Sequence, residues 1–302
     1  EMGAKTAFSA TQAAEALNYM ALAGYDAETS MAMLPNVLNL AAAGGIDLAY
    51  ASDMVTDAQS ALGLTLEQTS MMVDQMARTS SKTNTSVAQL GEAFLTVGGT
   101  AKNLSGGVTE LSTMLGVLAD NGVKGSEGGT ALRNIILSLS APTDKAAKTL
   151  KSLGVQAFDA QGNMRPLNET FLDLQSALNN LSGEAKTQAL DEIFNKTDLK
   201  SVEALLGTSA DRYNELADAI GNAEGAAQNM ADVQLDNLAG SLTLLQSAAE
   251  GVKIAIGEKL QPYAKGLVDW VTAHMPDIES AVGQAVDFVT GKIDGIIASV
   301  KE

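Results

Sequence analysis

Glycine interrupts this chain at short intervals, and that spacing limits what it can fold into more than any other feature. Stops stand at Gly24, Gly44-Gly45, Gly63, Gly98-Gly99, Asn121-Gly122, Gly154, Gly183, Gly207 and Gly221. Each follows a run of helical spacing, where left-handed cap or turn geometry is cheap for glycine. Starts are marked as well. Ser9 with Gln12, Thr65 with Gln68 and Ser86 with Gln89 fit the S/T-x-x-Q capping box, which satisfies two orphan backbone donors reciprocally. The pattern predicts many helices of one to two dozen residues. As one continuous helix the chain would reach on the order of 450 Å at about 1.5 Å per residue. The stops fold it back on itself instead.

Residues 122–171 concentrate these signals. Gly125, Gly128 and Gly129 read as a flexible turn, with Ser126 or Thr130 available to cap the helix that follows. Leu132, Ile135, Ile136 and Leu139 form one apolar helical stripe that stops before Pro142. A second helix, roughly Asp144 to Leu153, is followed by Gly154 as its C-cap and by Val155 to Phe158 as a short strand. Asp159 to Gly162 is turn chemistry, so the chain is expected to return through Asn163 to Arg165 as a small β-hairpin.

Helix, proline break, helix, glycine cap and hairpin in this order resemble the core region of phage tail tape measure proteins. The resemblance extends upstream through Ala14 to Ala58, with Gly24-Tyr25, Leu34-Pro35 and Leu40 to Gly45. Downstream it takes in Leu190 to Leu206 and Leu235 to Leu267. One departure is visible: Asn195 follows the Ile193-Phe194 pair where the family has glycine, and Asn also tolerates the left-handed region. The match covers about Ala14 to Leu267. Its motifs are structural and identify a family better than a reaction.

Composition agrees. The chain has 302 residues, exceeding one typical domain, and its 46% hydrophobic content is ample for a core. Only 4% is aromatic, which suits thin layers of packed helices. With 36 acidic against 19 basic residues the net charge is −17, so the surface repels nucleic acid backbones and no tight nucleic acid binding is expected. Zero cysteine excludes a disulfide framework and zinc-finger chemistry. The start at Glu1 shows no secretory signal, and the missing initiator methionine suggests an excised fragment.

The search for chemistry returns structural explanations. His274 is the only histidine, too little for a Ser-His-Asp triad. The Gly122–Gly129 loop lacks the Gly-Lys-Ser/Thr ending of a phosphate-binding loop. Asp159, Gln161 and Asn163 hint at a calcium loop whose remaining ligands are absent. Asp191-Glu192 reads as a solvated helix surface, and a single tryptophan, Trp270, offers little sugar stacking for a glycosidase cleft. Met71, Met72 and Met76 read as core gap-filling. No catalytic residue, cofactor or metal site is expected.

After about Gly207 the character changes. Ser209 to Ala219 and Ala223 to Leu260 read as longer helices, followed by Pro262, Pro276 and a final helix. In that helix Val282, Val286, Val289, Ile293, Ile296 and Val300 are spaced 4, 3, 4, 3, 4, a heptad seam and a candidate self-association contact. A stripe packed within its own domain fits equally. Thr29 to Ile46 carries no charge over eighteen residues, near the minimum for a membrane span, but Pro35, Asn36, Asn39 and Gly44-Gly45 favour a kinked, buried helix.

The expectation is an all-α multi-helix bundle of short helices with one small β-hairpin. Residues 1–207 would form a compact core domain, and 208–302 longer helices with the self-association region. The resemblance implies a tape measure in the tail tube lumen that templates tube assembly and length and leaves during DNA ejection. It also implies host cytoplasm during assembly, tail tube and tail tip proteins as partners, and a homo-oligomer, with a trimer as the guess. Any long ruler would lie mainly outside residues 1–207. The alternative is a membrane-active helical module forming a DNA conduit, with host membrane contact during ejection.

Overall fold

The computed structural model describes residues 8–236 and 238–300, and of these the side chains other than those of residues 238, 239, 241, 242, 244, 281 and 292–300. Helices α1 (Ala10–Leu22), α2 (Ala27–Gly44), α3 (Leu48–Leu62), α4 (Leu66–Lys82) and α5 (Val87–Val97) lead into a 3-10 turn at Gly98–Asn103. Then come α6 (Gly107–Asp120), α7 (Gly125–Ser140), α8 (Asp144–Ser152), α9 (Leu167–Leu178), α10 (Gly183–Ile193), α11 (Leu199–Gly207), α12 (Ala210–Gly221) and α13 (Ala226–Leu235). Two long helices follow, α14 (Leu238–Ala273) and α15 (Met275–Val300). The fold is all-α. The chain divides into two compact units, Glu1–Ala248 and Ala249–Glu302.

Local signals explain most boundaries. All three capping boxes form, with Ser9, Thr65 and Ser86 accepting from the backbone of Gln12, Gln68 and Gln89 and receiving the reciprocal side-chain bond. Gly45 and Gly63 close α2 and α3 in the left-handed region. Gly183 departs from expectation: it opens α10 behind the Ser182 cap. Asn195 also needs no left-handed tolerance, because it is extended at φ −68°.

Two larger expectations are corrected. Gly125 to Gly129 is no flexible turn. The helix begins at Gly125, neither Ser126 nor Thr130 caps it, and Gly128 and Gly129 are buried inside it. A Cβ on Gly129 would meet the Ala93 carbonyl oxygen at 2.5 Å and Thr96 Cβ at 2.7 Å, so the glycine lets α7 lie directly on α5. The hairpin is reduced to one antiparallel bridge, Phe158 to Met164. Its ladder has nowhere to grow. The Val155 N–H is spent on Leu150 O as part of the α8 cap, and Pro166 has no donor on the other side. The turn itself forms as expected, with Gly162 at φ +85° and the Asp159 carboxylate accepting from Gln161 N and Asn163 N.

In the first unit, α2 carries Pro35 in its interior and buries Leu34, Val37, Leu38, Leu40 and Ala41. Met72 and Met76 on α4 are fully buried, as gap-filling requires, while Met71 is half-exposed. The α7 stripe Leu132, Ile135, Ile136 and Leu139 is buried throughout. Burying those four side chains contributes on the order of 8 kcal/mol of transfer free energy. Tyr213 and Leu216 of α12 and Ala227 of α13 are buried in the same core, where α12 packs on α6 and α4, and α13 on α2 and α4.

Two carboxylates, one buried and one half-buried, tie separate helices together. Glu110 of α6 accepts from its own Gly106 N at 2.7 Å and from Leu167 N at 2.6 Å, the first residue of α9. Burial raises its pKa above the ordinary carboxylate range, although both N–H donors favour the charged form. Asp74 of α4 accepts from Gly225 N and Ala227 N, so it caps α13 from outside, where Gly225 has no side chain to do so.

At the C-terminal end α14 and α15 are the longest helices, 36 and 26 residues. The stretch Ala223 to Leu260 is not one helix, since α13 ends at Leu235. Pro262 sits inside α14 and does not end it.

Candidate functional site

The feature with functional potential is the second unit, which has almost no interior. Of the expected seam, Val282, Val286 and Val289 are 57%, 53% and 54% exposed. Ile293, Ile296 and Val300 lie on α15, and their side chains fall outside the described residues. The same spacing runs through α14, where sequence reading missed it. Ile256, Leu260, Tyr263, Leu267 and Trp270 recur at 4, 3, 4, 3 and are all exposed. The signal lies in the residues, masked by Pro262, a residue type that usually ends a helix but here sits inside α14.

The junction keeps these two stripes on one helical path. His274 N donates to Trp270 O at 3.0 Å and Ile278 N to His274 O at 2.9 Å, both with helical spacing. Pro276 falls in the first turn of α15, where a missing N–H costs little. His274 stacks on Trp270, ring centroids 4.7 Å apart, with Nδ1 at 2.9 Å from Trp270 O. It is a helix-junction residue with no carboxylate partner among its described contacts.

Elsewhere the groups of chemical interest hold the fold. Glu192 accepts from Thr149 and Gln188 and pairs with Lys145, joining α10 to α8, and those bonds lower its pKa, the Thr149 hydroxyl most. Asp191 pairs with Lys196. Among the described residues no group of three or more His, Asp or Glu could hold a metal ion. A cavity of about 440 Å³ beside the α6 N-terminus is lined by Leu62, Leu64, Met71, Gln75, Lys102 and Leu104 among others, with no histidine or carboxylate. A neighbouring cavity of about 710 Å³ includes Asp159 and Glu169, but Asp159 closes its own turn and Glu169 pairs with Arg165.

Comparison with known proteins points to phage tail components. The family model described as phage-related minor tail protein matches residues 1–195. The chain is 34% identical over 272 residues to the tape measure protein of Pneumococcus phage Dp-1, covering 90% of this chain and 24% of that protein. It is 28% identical over 279 residues to the probable tape measure protein of Escherichia phage P2, covering 91% of this chain and 34% of that protein. It thus spans about a quarter to a third of the length of these relatives. No solved structure matches it significantly. With the family model covering well over half of the sequence, the chain belongs to the phage-related minor tail protein family, whose tape measure members its motifs resemble.

Proposed function

We propose that this chain is part of a tape measure that lies in the lumen of a phage or prophage tail tube, templates tube assembly and length, and is released when DNA is ejected. The similarity to two tape measure proteins over about nine tenths of the chain carries this reading. The role is one of assembly, without turnover: the glycine-punctuated helices of the first part form a packed body, and the helices within 208–302 associate with copies of themselves. Val282, Val286, Val289, Ile293, Ile296 and Val300 are the seam for that contact, and the family resemblance implies a trimer. Tail tube and tail tip proteins are the other partners, met first in the host cytoplasm during assembly. The net charge of −17 keeps the polypeptide off the DNA that later shares its channel. The other reading, a membrane-active conduit, draws no support from the helices, since among the described residues none is long and apolar enough to cross a membrane.

In-frame deletions in the parent gene test the proposal by negative-stain microscopy of the resulting particles. Tails shortened in step with the deletion, or absent when residues 1–302 are removed, are expected. Tails of unchanged length in every deletion would overturn it.

A further inference from the structure

We infer that the cavity at the start of α6 is a docking site for the C-terminal end of another polypeptide, one that finishes in an apolar residue. The site lies wholly within the first unit, so it stands or falls independently of how copies of the chain associate.

Three observations carry it. First, the start of α6 presents donors with nothing to receive them. Gly106 N is taken by Glu110 Oε2, Gly107 N by Leu104 O and Glu110 N by Gly106 O. Val108 N and Thr109 N have no partner among the described residues. No side chain at position 106 can cap them, because a Cβ there would meet Glu110 Cβ at 2.8 Å. Val108, Thr109 and Lys102 all line the cavity of about 440 Å³. The Lys102 ammonium lies against Gly63 at the end of α3 and forms no ion pair among the described residues. Glu110 does not line the cavity, since its carboxylate is turned onto Gly106 N and Leu167 N. A helix start and a free lysine therefore make one cationic spot on a chain of net charge −17, and that spot selects an anion.

Second, the cavity wall holds an empty acceptor. Gln75 of α4 is 1% exposed and lines the same cavity. Its Nε2 donates to Thr109 Oγ1 at 2.8 Å, which fixes the amide head at the α6 start, while Oε1 accepts from no group. Leaving a buried acceptor empty is costly, so the wall calls for a donor beside the anion.

Third, the remaining wall is apolar. Leu62 and Leu64 are partly buried, Leu104 is buried, and Met71 stands half-exposed beside them. The volume falls within the range of about 300 to 1,000 Å³ usual for ligand sites. A carboxylate, an amide N–H next to it and an apolar side chain occur together in the last residue of a peptide chain. A fatty acid supplies the first and the third but has no donor for Gln75.

Calorimetric titration of the whole chain tests this, with acetylated tetrapeptides of three alanines and a final leucine, isoleucine, methionine, valine or phenylalanine. Each is compared with its C-terminal amide and with an ester analogue that lacks the last N–H; decanoate is titrated alongside. At least one free acid is expected to bind with a dissociation constant below about 1 mM, at least tenfold tighter than its amide and severalfold tighter than its ester. Lys102→Gln, at an exposed position, should narrow the acid-to-amide difference with the melt unchanged, and Met71→Trp should fill the cavity and abolish binding. Equal binding of acid and amide would mean that the α6 start reads no carboxylate, and the inference fails. Decanoate binding without any peptide binding would make the ligand a lipid-like acid, which also overturns it. If no peptide saturates the chain, or if Met71→Trp binds as the native chain does, the cavity is not the docking site.

Discussion

Single residues divide into those whose role is readable from type and spacing and those that only packing reveals. Gly129 belongs to the second group, because its φ is ordinary and its necessity comes from α5 lying against it. Gly91 makes a useful contrast: a Cβ there would strike the Met54 sulfur, the flexible end of a side chain, whereas at Gly129 it would strike the backbone of Ala93. Gly129→Ala is expected to cost about 1 to 3 kcal/mol and Gly91→Ala clearly less, measured by urea denaturation of both variants. Equal costs would mean that α5 and α7 can separate freely. Glu110 gives a pH signature. Its folded pKa is raised above 4.5, so the stability linked to its protonated form is fully present below about pH 4.5 and declines as pH rises through the folded value. Relative to Glu110→Gln, the native chain should therefore lose stability as pH rises above 4.5, by at most about 1.4 kcal/mol per pH unit. A relative gain over that range would show that the Gly106 and Leu167 N–H groups outweigh burial.

At the scale of elements, stripes and caps were legible because they are local. The α7 stripe was readable from four apolar residues, and its burial makes Ile135→Asp severe: an unpaired carboxylate at the stripe centre should cost several kcal/mol, about 3 or more. An unchanged thermal melt would contradict that assignment. The three capping boxes were readable for the same reason. What could not be read depends on chain segments far apart. The turn expected at Gly125 to Gly129 became helix, and the contact that explains Gly129 lies some thirty-five residues upstream, on α5. The hairpin failed because the donor of Val155 was already committed to closing α8. The cap of α13 comes from Asp74, about 150 residues away in sequence, so no local pattern announces it. Asp74→Ala should cost about 1 to 2 kcal/mol, with hydrogen exchange quickening first at the amides of Gly225 to Ala227. Uniform loss of protection across α4 would instead mark Asp74 as a core residue.

The whole molecule pairs a unit with a deep core and a unit without one, and this contrast sets the self-association test. The seam on α15 was legible from spacing alone, yet spacing cannot tell an oligomer contact from a stripe covered by its own chain. The exposure of Val282, Val286 and Val289 makes that question physical, because water is a poor neighbour for so much apolar surface. A chain ending at Ala248 keeps the side chains that α12 and α13 bury, Tyr213, Leu216 and Ala227 among them, and so should stay folded. It should also be monomeric. The full 302 residues should form an oligomer at tens of micromolar by light scattering, and Val282→Asp with Val289→Asp should return it to monomer with the melt of the first unit unchanged. The stripe is apolar, so added salt should weaken the oligomer little, in contrast to an association held by ion pairs. If the truncated chain associates as strongly as the full one, the contact lies in the first unit. If the double aspartate variant keeps the oligomer, the exposed valines are not where the copies meet.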